Sequence, residues 1–155
     1  MSENKQAKEA RKTRTFHYHT DLKWLEGRRG ELDSGEGKPK LLVGAPVDFK
    51  GEPGNVSPED MMVSSLSVCQ MNTFVAFARH KSLEFTAYVD SADGVVEVVD
   101  RKLRFTGVTL RPTVTITRED DREIALKLLE DAHHSCAISN SVNFEVVVEP
   151  TVVVA

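Results

Sequence analysis

The chain has 155 residues, the length of one domain with one core, and its 40% hydrophobic and 28% charged residues match globular averages, which argues against a disordered chain. A net charge of -4 disfavours nucleic acid and membrane surfaces as partners, since phosphate-rich surfaces are held by an excess of Lys and Arg. Two cysteines, Cys69 and Cys136, are too few and too far apart to be the disulfide framework of a small secreted protein.

Residues 1–14 are polar and charged, without the apolar stretch of a secretory signal. The expectation is a cytoplasmic protein with a charged, disordered N-terminus over 1–14 and a single domain over 15–155. Residues 15–24 mix aromatic and polar side chains as a strand does, and residues 27–30 (Gly27-Arg28-Arg29-Gly30) supply turn chemistry. Residues 29–32 and 40–43 extend the hairpin to a three-stranded meander, with residues 33–38 as its second turn. Pro46, Gly51, Pro53 and Gly54 make residues 45–55 a loop.

Ser57-Pro58-Glu59-Asp60 is a helix start: Ser57 is the N-cap, proline stands in the first turn where its missing N–H costs nothing, and two acids face the positive end of the helix dipole. This helix runs to about Lys81. Its stretch from residue 61 to 78 carries no charge, which raises a membrane-spanning reading. Ser64, Ser65, Ser67, Gln70, Asn72 and Thr73 are costly in lipid, so the expectation is a central helix enclosed on nearly every side by its own protein.

Residues 83–99, 103–108 and 110–117 are rich in Val, Thr, Phe and Tyr and read as an antiparallel meander, punctuated by Asp93-Gly94 and Gly107. A second helix over 118–134 opens on Glu119, Asp120 and Asp121 and closes on His133 and His134, matching the dipole at both ends. Residues 142–154 form a closing strand that Pro150 places at an edge or breaks. The order strands, helix, strands, helix, strand defines an α+β fold.

Chemistry centres on the two thiols. Cys69 alone reads as a small buried hydrophobe. Cys136, however, stands in the polar run Ala132-His133-His134-Ser135-Cys136-Ala137-Ile138-Ser139-Asn140-Ser141, which is poor packing material and better suited to a reactive thiol. A nucleophilic cysteine must ionise, and Cys69 lies about three turns into its helix, beyond the reach of the dipole. A cation from elsewhere is required, and Arg28 or Arg29 in the glycine-flanked turn is the candidate. His133, His134, Cys136 and Cys69 lack metal-ligand spacing, so no metal is expected. A Cys69–His hydrolase leaves the second cysteine without a purpose.

The runs Ser57-Pro58-Glu59-Asp60-Met61-Met62, Ser65-Leu66-Ser67-Val68-Cys69 and residues 132–141 together resemble the OsmC/Ohr family of organic hydroperoxide reductases, over about residues 23–149. The resemblance implies an OsmC-like fold: two antiparallel β-sheets around central helices, in an intertwined homodimer. It implies a thiol-dependent peroxidase that reduces a small organic hydroperoxide to its alcohol, with Cys69 as peroxidatic and Cys136 as resolving cysteine, joined as a disulfide within the cycle. Arg28, in a turn like the family's Gly-Arg-x-Gly, matches the catalytic arginine, and Glu59 matches the acid that holds it; Arg29 is the alternative for the first role. No bound cofactor is implied, only an external dithiol reductant such as a dihydrolipoyl protein. Ala137 stands where the organic-hydroperoxide branch usually has proline. Met61, Met62, Phe74 and Phe77 are candidates for an apolar substrate wall. Glu59 and Cys69 lie ten positions apart, about 15 Å on a straight helix. One site holding both needs a bridging arginine, a broken helix, or Glu59 from the other subunit, the last being favoured. The competing reading is a non-catalytic dimer of the same fold that binds small molecules or accompanies stress.

Overall fold

A computed structural model describes residues 14–155; residues 1–13 of the charged N-terminal segment lie outside the described residues. The fold is built on helix α1 (Pro58–His80). Ser57 Oγ accepts from Asp60 N at 3.0 Å while Asp60 Oδ2 accepts from Ser57 N at 2.9 Å. This reciprocal capping box satisfies two N–H groups that a helix start would otherwise leave open. The helix runs unbroken through Cys69, which removes the broken-helix route to a shared Glu59–Cys69 site.

Before it, β1 (Asp21–Glu26), β2 (Arg29–Asp33) and β3 (Leu41–Gly44) form the expected three-stranded antiparallel sheet. Strand β1 begins later than the aromatic pattern suggests: residues 15–20 lie outside any strand. Gly27, at a φ of 50°, makes the first turn in the left-handed region that glycine enters freely.

After α1, two long strands replace the expected meander of three. β4 (Phe85–Val99) and β5 (Lys102–Ile116) pair antiparallel along their length. Asp100 and Arg101, at φ 51° and 64°, make the tight turn, the backbone a two-residue type I′ hairpin needs. The pairing skips Thr106 where Val95 opposes Gly107 and Val96 opposes Phe105, so Gly107 marks a bulge rather than a strand end. Asp93-Gly94 runs straight through β4. A Cβ on Gly94 would stand 2.5 Å from Val63 Cγ2 and 2.9 Å from Phe105 Cε1; glycine there lets α1 lie against the strand.

A short 3-10 turn (Glu119–Asp121) then leads into α2 (Arg122–Ser135). The chain returns as β6 (Glu145–Val148) and β7 (Thr151–Val154), both parallel to β5 in one register and interrupted at Pro150. The second sheet is therefore mixed, a correction to the expected two antiparallel sheets. The physical reason is the α2 crossover, which brings the chain back in the direction of β5.

The core has two parts. Phe74, Ala78, Val114, Ile116, Ala125, Leu128, Leu129 and Ala132 form one apolar cluster, and Leu66, Val108 and Leu110 form another, flanked by Phe105, Ile138 and Phe144. Each fully buried large side chain contributes roughly 1.5–3 kcal/mol of transfer free energy. A single stripe of α1 (Leu66, Gln70, Phe74 and Ala78) faces this core. The helix is long and apolar enough to cross a membrane by length and composition, as the core helices of soluble proteins also are. Its own chain buries only 22% of its most apolar window, so the expected enclosure on nearly every side is not supplied by one copy. Met61, Val68 and Val75, spaced by seven, lie on the opposite face, with Val68 51% exposed.

Candidate active site

Cys69 and Cys136 lie together. The half-buried Cys69 projects from the middle of α1, at the boundary between its core stripe and its uncovered face. The wholly buried Cys136 is the C-cap of α2, its backbone already extended at φ -70° and ψ 118°. Leaving the helix at this point turns its side chain toward α1. Both cysteines are free thiols, close enough that each acts on the other's ionisation through hydrogen bonding.

Burial pushes the Cys69 thiol up, and the Cys136 side chain adds to this. The backbone N–H groups of Ile138 and Ala137 act in the opposite direction. For Cys136, burial also acts upward, but hydrogen bonds from Cys69 and Ser139 outweigh it and hold the thiol below its ordinary value. The Ser139 N–H donates to Cys136 Sγ at 3.4 Å. Within one chain, the easier thiol to ionise is thus Cys136. The pair titrates as a unit, and a cation beside Cys69 would draw the charge toward it.

Among the described residues, no guanidinium acts on Cys69. The Arg28 guanidinium donates to the Phe49 carbonyl, while Arg29 Nη1 lies 3.3 Å from Glu26 and 3.4 Å from Glu52. Both arginines line a groove with Leu22, Trp24, Leu32, Val43, Pro58 and Met61. Glu59 lines a neighbouring cavity, with Phe49, Val96, Val98 and Leu103, and its Oε2 is buried without a partner. A Glu59–arginine pair is thus not formed among the described residues.

The four candidates for an apolar substrate wall do not share a surface. Phe74 is completely buried and stacks edge-on with Phe85, ring centroids 5.4 Å apart; it fills the core. Phe77 opens with His80, Lys81 and Leu128 on another cavity. Met61 lies in the groove of the arginines, and Met62 is half-buried, its carbonyl accepting from Ser65 Oγ at 2.8 Å. Residues four apart on a helix share a face but sit at different depths, which the spacing alone did not distinguish. Two further groups, neither given a role in the sequence reading, neighbour the thiols along the chain. One is Ser139 on the turn after Cys136. The other is Gln70, buried beside Cys69, whose signal in the sequence was polarity within the stripe Leu66, Phe74, Ala78.

Fold and thiol pair together define the class: an α+β protein organised around a dithiol. The chain belongs to the OsmC-like family, whose model, described as OsmC-like protein, matches residues 51–151. It is 26% identical over 143 residues to the uncharacterized protein YmaD of Bacillus subtilis (strain 168), spanning 88% of this chain and 94% of YmaD. Among solved structures it is similar to the OsmC-like protein of unknown function VCA0330 from Vibrio cholerae (TM-score 0.80, 27% identity, 88% of this chain and 99% of that one). It shares its fold with the organic hydroperoxide resistance protein OsmC from Legionella pneumophila (TM-score 0.70, 20% identity, 91% and 99%).

Proposed function

We propose that this protein is a soluble, cytoplasmic, homodimeric thiol peroxidase that reduces organic hydroperoxides to alcohols. The observation that carries this reading is the meeting of Cys69 and Cys136, 67 positions apart, across α1 and α2. A binding protein needs neither thiol, whereas a two-cysteine peroxidase needs both in contact. The kinship with chains described as organic hydroperoxide resistance proteins supports the substrate class.

The cycle balances without a bound cofactor. The Cys69 thiolate attacks one peroxide oxygen, the O–O bond breaks, and the alkoxide leaves as alcohol after taking a proton; Cys69 is then a sulfenic acid. Cys136 displaces its hydroxyl as water to give the Cys69–Cys136 disulfide. An external dithiol, such as a dihydrolipoyl protein, reduces that bond by exchange.

The guanidinium that keeps Cys69 ionised comes, in this reading, from a second copy. Cys69 borders the uncovered face of α1, and the groove holding Arg28 and Arg29 is apolar and open, with Trp24 71% and Leu22 68% exposed. Packing the groove of one copy over the α1 of the other covers both surfaces and carries Arg28 toward Cys69. The same docking gives the orphaned Glu59 carboxylate a guanidinium to receive.

The test is thiol counting before and after one equivalent of cumene hydroperoxide. The expected result is loss of two thiols per chain with release of one cumyl alcohol, abolished by Cys69→Ser. Unchanged thiols in the wild-type protein would exclude the peroxidase and leave a small-molecule-binding dimer as the better reading.

A further inference from the structure

We infer that Gln70 is a positioning residue that locks α2 against α1 so that Cys136 can close the disulfide on Cys69; this rests on the peroxidase reading above and deepens it. Gln70 is completely buried, one of only two buried polar residues among the described residues. Its Nε2 donates to the Leu129 carbonyl of α2 at 2.8 Å. That carbonyl lies in the helix interior, so the amide takes its second lone pair. The other end of the amide, Oε1, is buried with no partner.

Such an arrangement is a poor way to stabilise a core. Leu66 and Phe74, one turn to either side of Gln70 on the same stripe, belong to the two separate apolar clusters. A methionine of similar length would join them and leave no orphaned oxygen. What the amide provides is direction. A hydrophobic contact tolerates sliding, whereas one hydrogen bond from the side chain next to Cys69 to a fixed backbone atom sets the register of α2 on α1.

The register matters because disulfide geometry is narrow. Two packed helix axes lie about 8–10 Å apart, while a disulfide needs its α-carbons within about 7 Å. Cys136 meets this demand by standing just beyond the end of α2, about two turns past Leu129. At that site a slide of one residue along α2 moves the sulfur by about 1.5 Å. Along the chain Cys136 lies between Ala132 of one cluster and Ile138 at the flank of the other, as Gln70 lies between Phe74 and Leu66.

The affected step is the second one. The sulfenic acid on Cys69 loses its hydroxyl to the proton of Cys136 as water, and the S–S bond forms; the peroxide step involves Cys69 alone. Gln70→Met removes the tether and keeps the volume. The expected result is a Cys69 oxidation rate within twofold of wild type and disulfide closure slowed by tenfold or more, with sulfenic acid trapped by dimedone and oxidised further by excess peroxide. The equilibrium constant of the Cys69–Cys136 disulfide against dithiothreitol, read without any peroxide, should fall by a similar factor. Gln70→Glu, neutral when buried, donates an O–H to Leu129 and should restore closure at mildly acid pH; it carries the same comparison if Gln70→Met does not fold. Equal closure rates and equal disulfide stability in wild type and folded variants would overturn the tether. A wild-type protein that forms no Cys69–Cys136 disulfide at all would instead overturn the peroxidase reading.

Discussion

Ala137 follows Cys136, the resolving cysteine of the proposed cycle, where proline is usual in the organic-hydroperoxide branch, and the difference is one N–H. That N–H is among the groups that pull the Cys69 thiol downward, and proline has none to give. The Cys136 backbone, extended at ψ 118°, already suits a residue before proline. Ala137→Pro should therefore fold, yet hold Cys69 less ionised. Loss of that N–H should lower the thiolate population and, with it, the rate with cumene hydroperoxide near neutral pH. Stopped-flow kinetics and the thiolate absorbance near 240 nm read both. An unchanged rate would show that this N–H does not serve the thiolate.

Helix α1 depends on its first turn. Ser57→Ala removes the hydroxyl half of the capping box, leaving the backbone N–H of residue 57 to Asp60, and should lower stability by about 1 kcal/mol, visible as a lower Tm. Asp60 adds a pH signature. The Ser57 backbone N–H and then its hydroxyl hold the Asp60 carboxyl below its ordinary 3.8, so the folded pKa is depressed. Its stabilisation is fully present above the unfolded pKa and is lost as pH falls through the folded one. The Tm gap between wild type and Asp60→Asn should thus be constant near neutrality and close below about pH 4. The β4–β5 hairpin offers the opposite sign: Arg101, at φ 64°, stands where glycine is unstrained. Arg101→Gly should raise stability by up to about 1 kcal/mol in thermal or denaturant unfolding.

At the scale of the molecule, one chain leaves an apolar sheet face and an apolar helix face open and keeps Arg28 and Arg29 in the groove of that sheet, with neither among the groups acting on Cys69. Sedimentation should give twice the 17.2 kDa chain mass. Trp24, the chain's one tryptophan, should emit as a buried indole although 71% exposed in the single chain. Trp24→Asp places a charge in that face and should yield monomers. Without a guanidinium from the second copy, Cys69 keeps the upward shift that burial gives it. The monomer's peroxidase rate should therefore fall at neutral pH and recover as pH rises, while its two thiols still close under a dithiol oxidant. A monomer with the wild-type pH profile would show that one chain completes its own site.

The sequence by itself determined the α+β order, the start of α1 at Ser57 and the three-stranded first sheet, because caps, turns and periodicity act between near neighbours. It also marked Cys69 and Cys136 as the residues of interest, since a thiol in a polar run is conspicuous as chemistry. Tertiary structure alone decided that the two sulfurs meet, that Phe74 is core rather than pocket wall, that β6 and β7 run parallel to β5, and that α1 keeps a bare face. Each of these depends on which surfaces approach after distant segments fold together, and residue spacing along a chain carries no such distance.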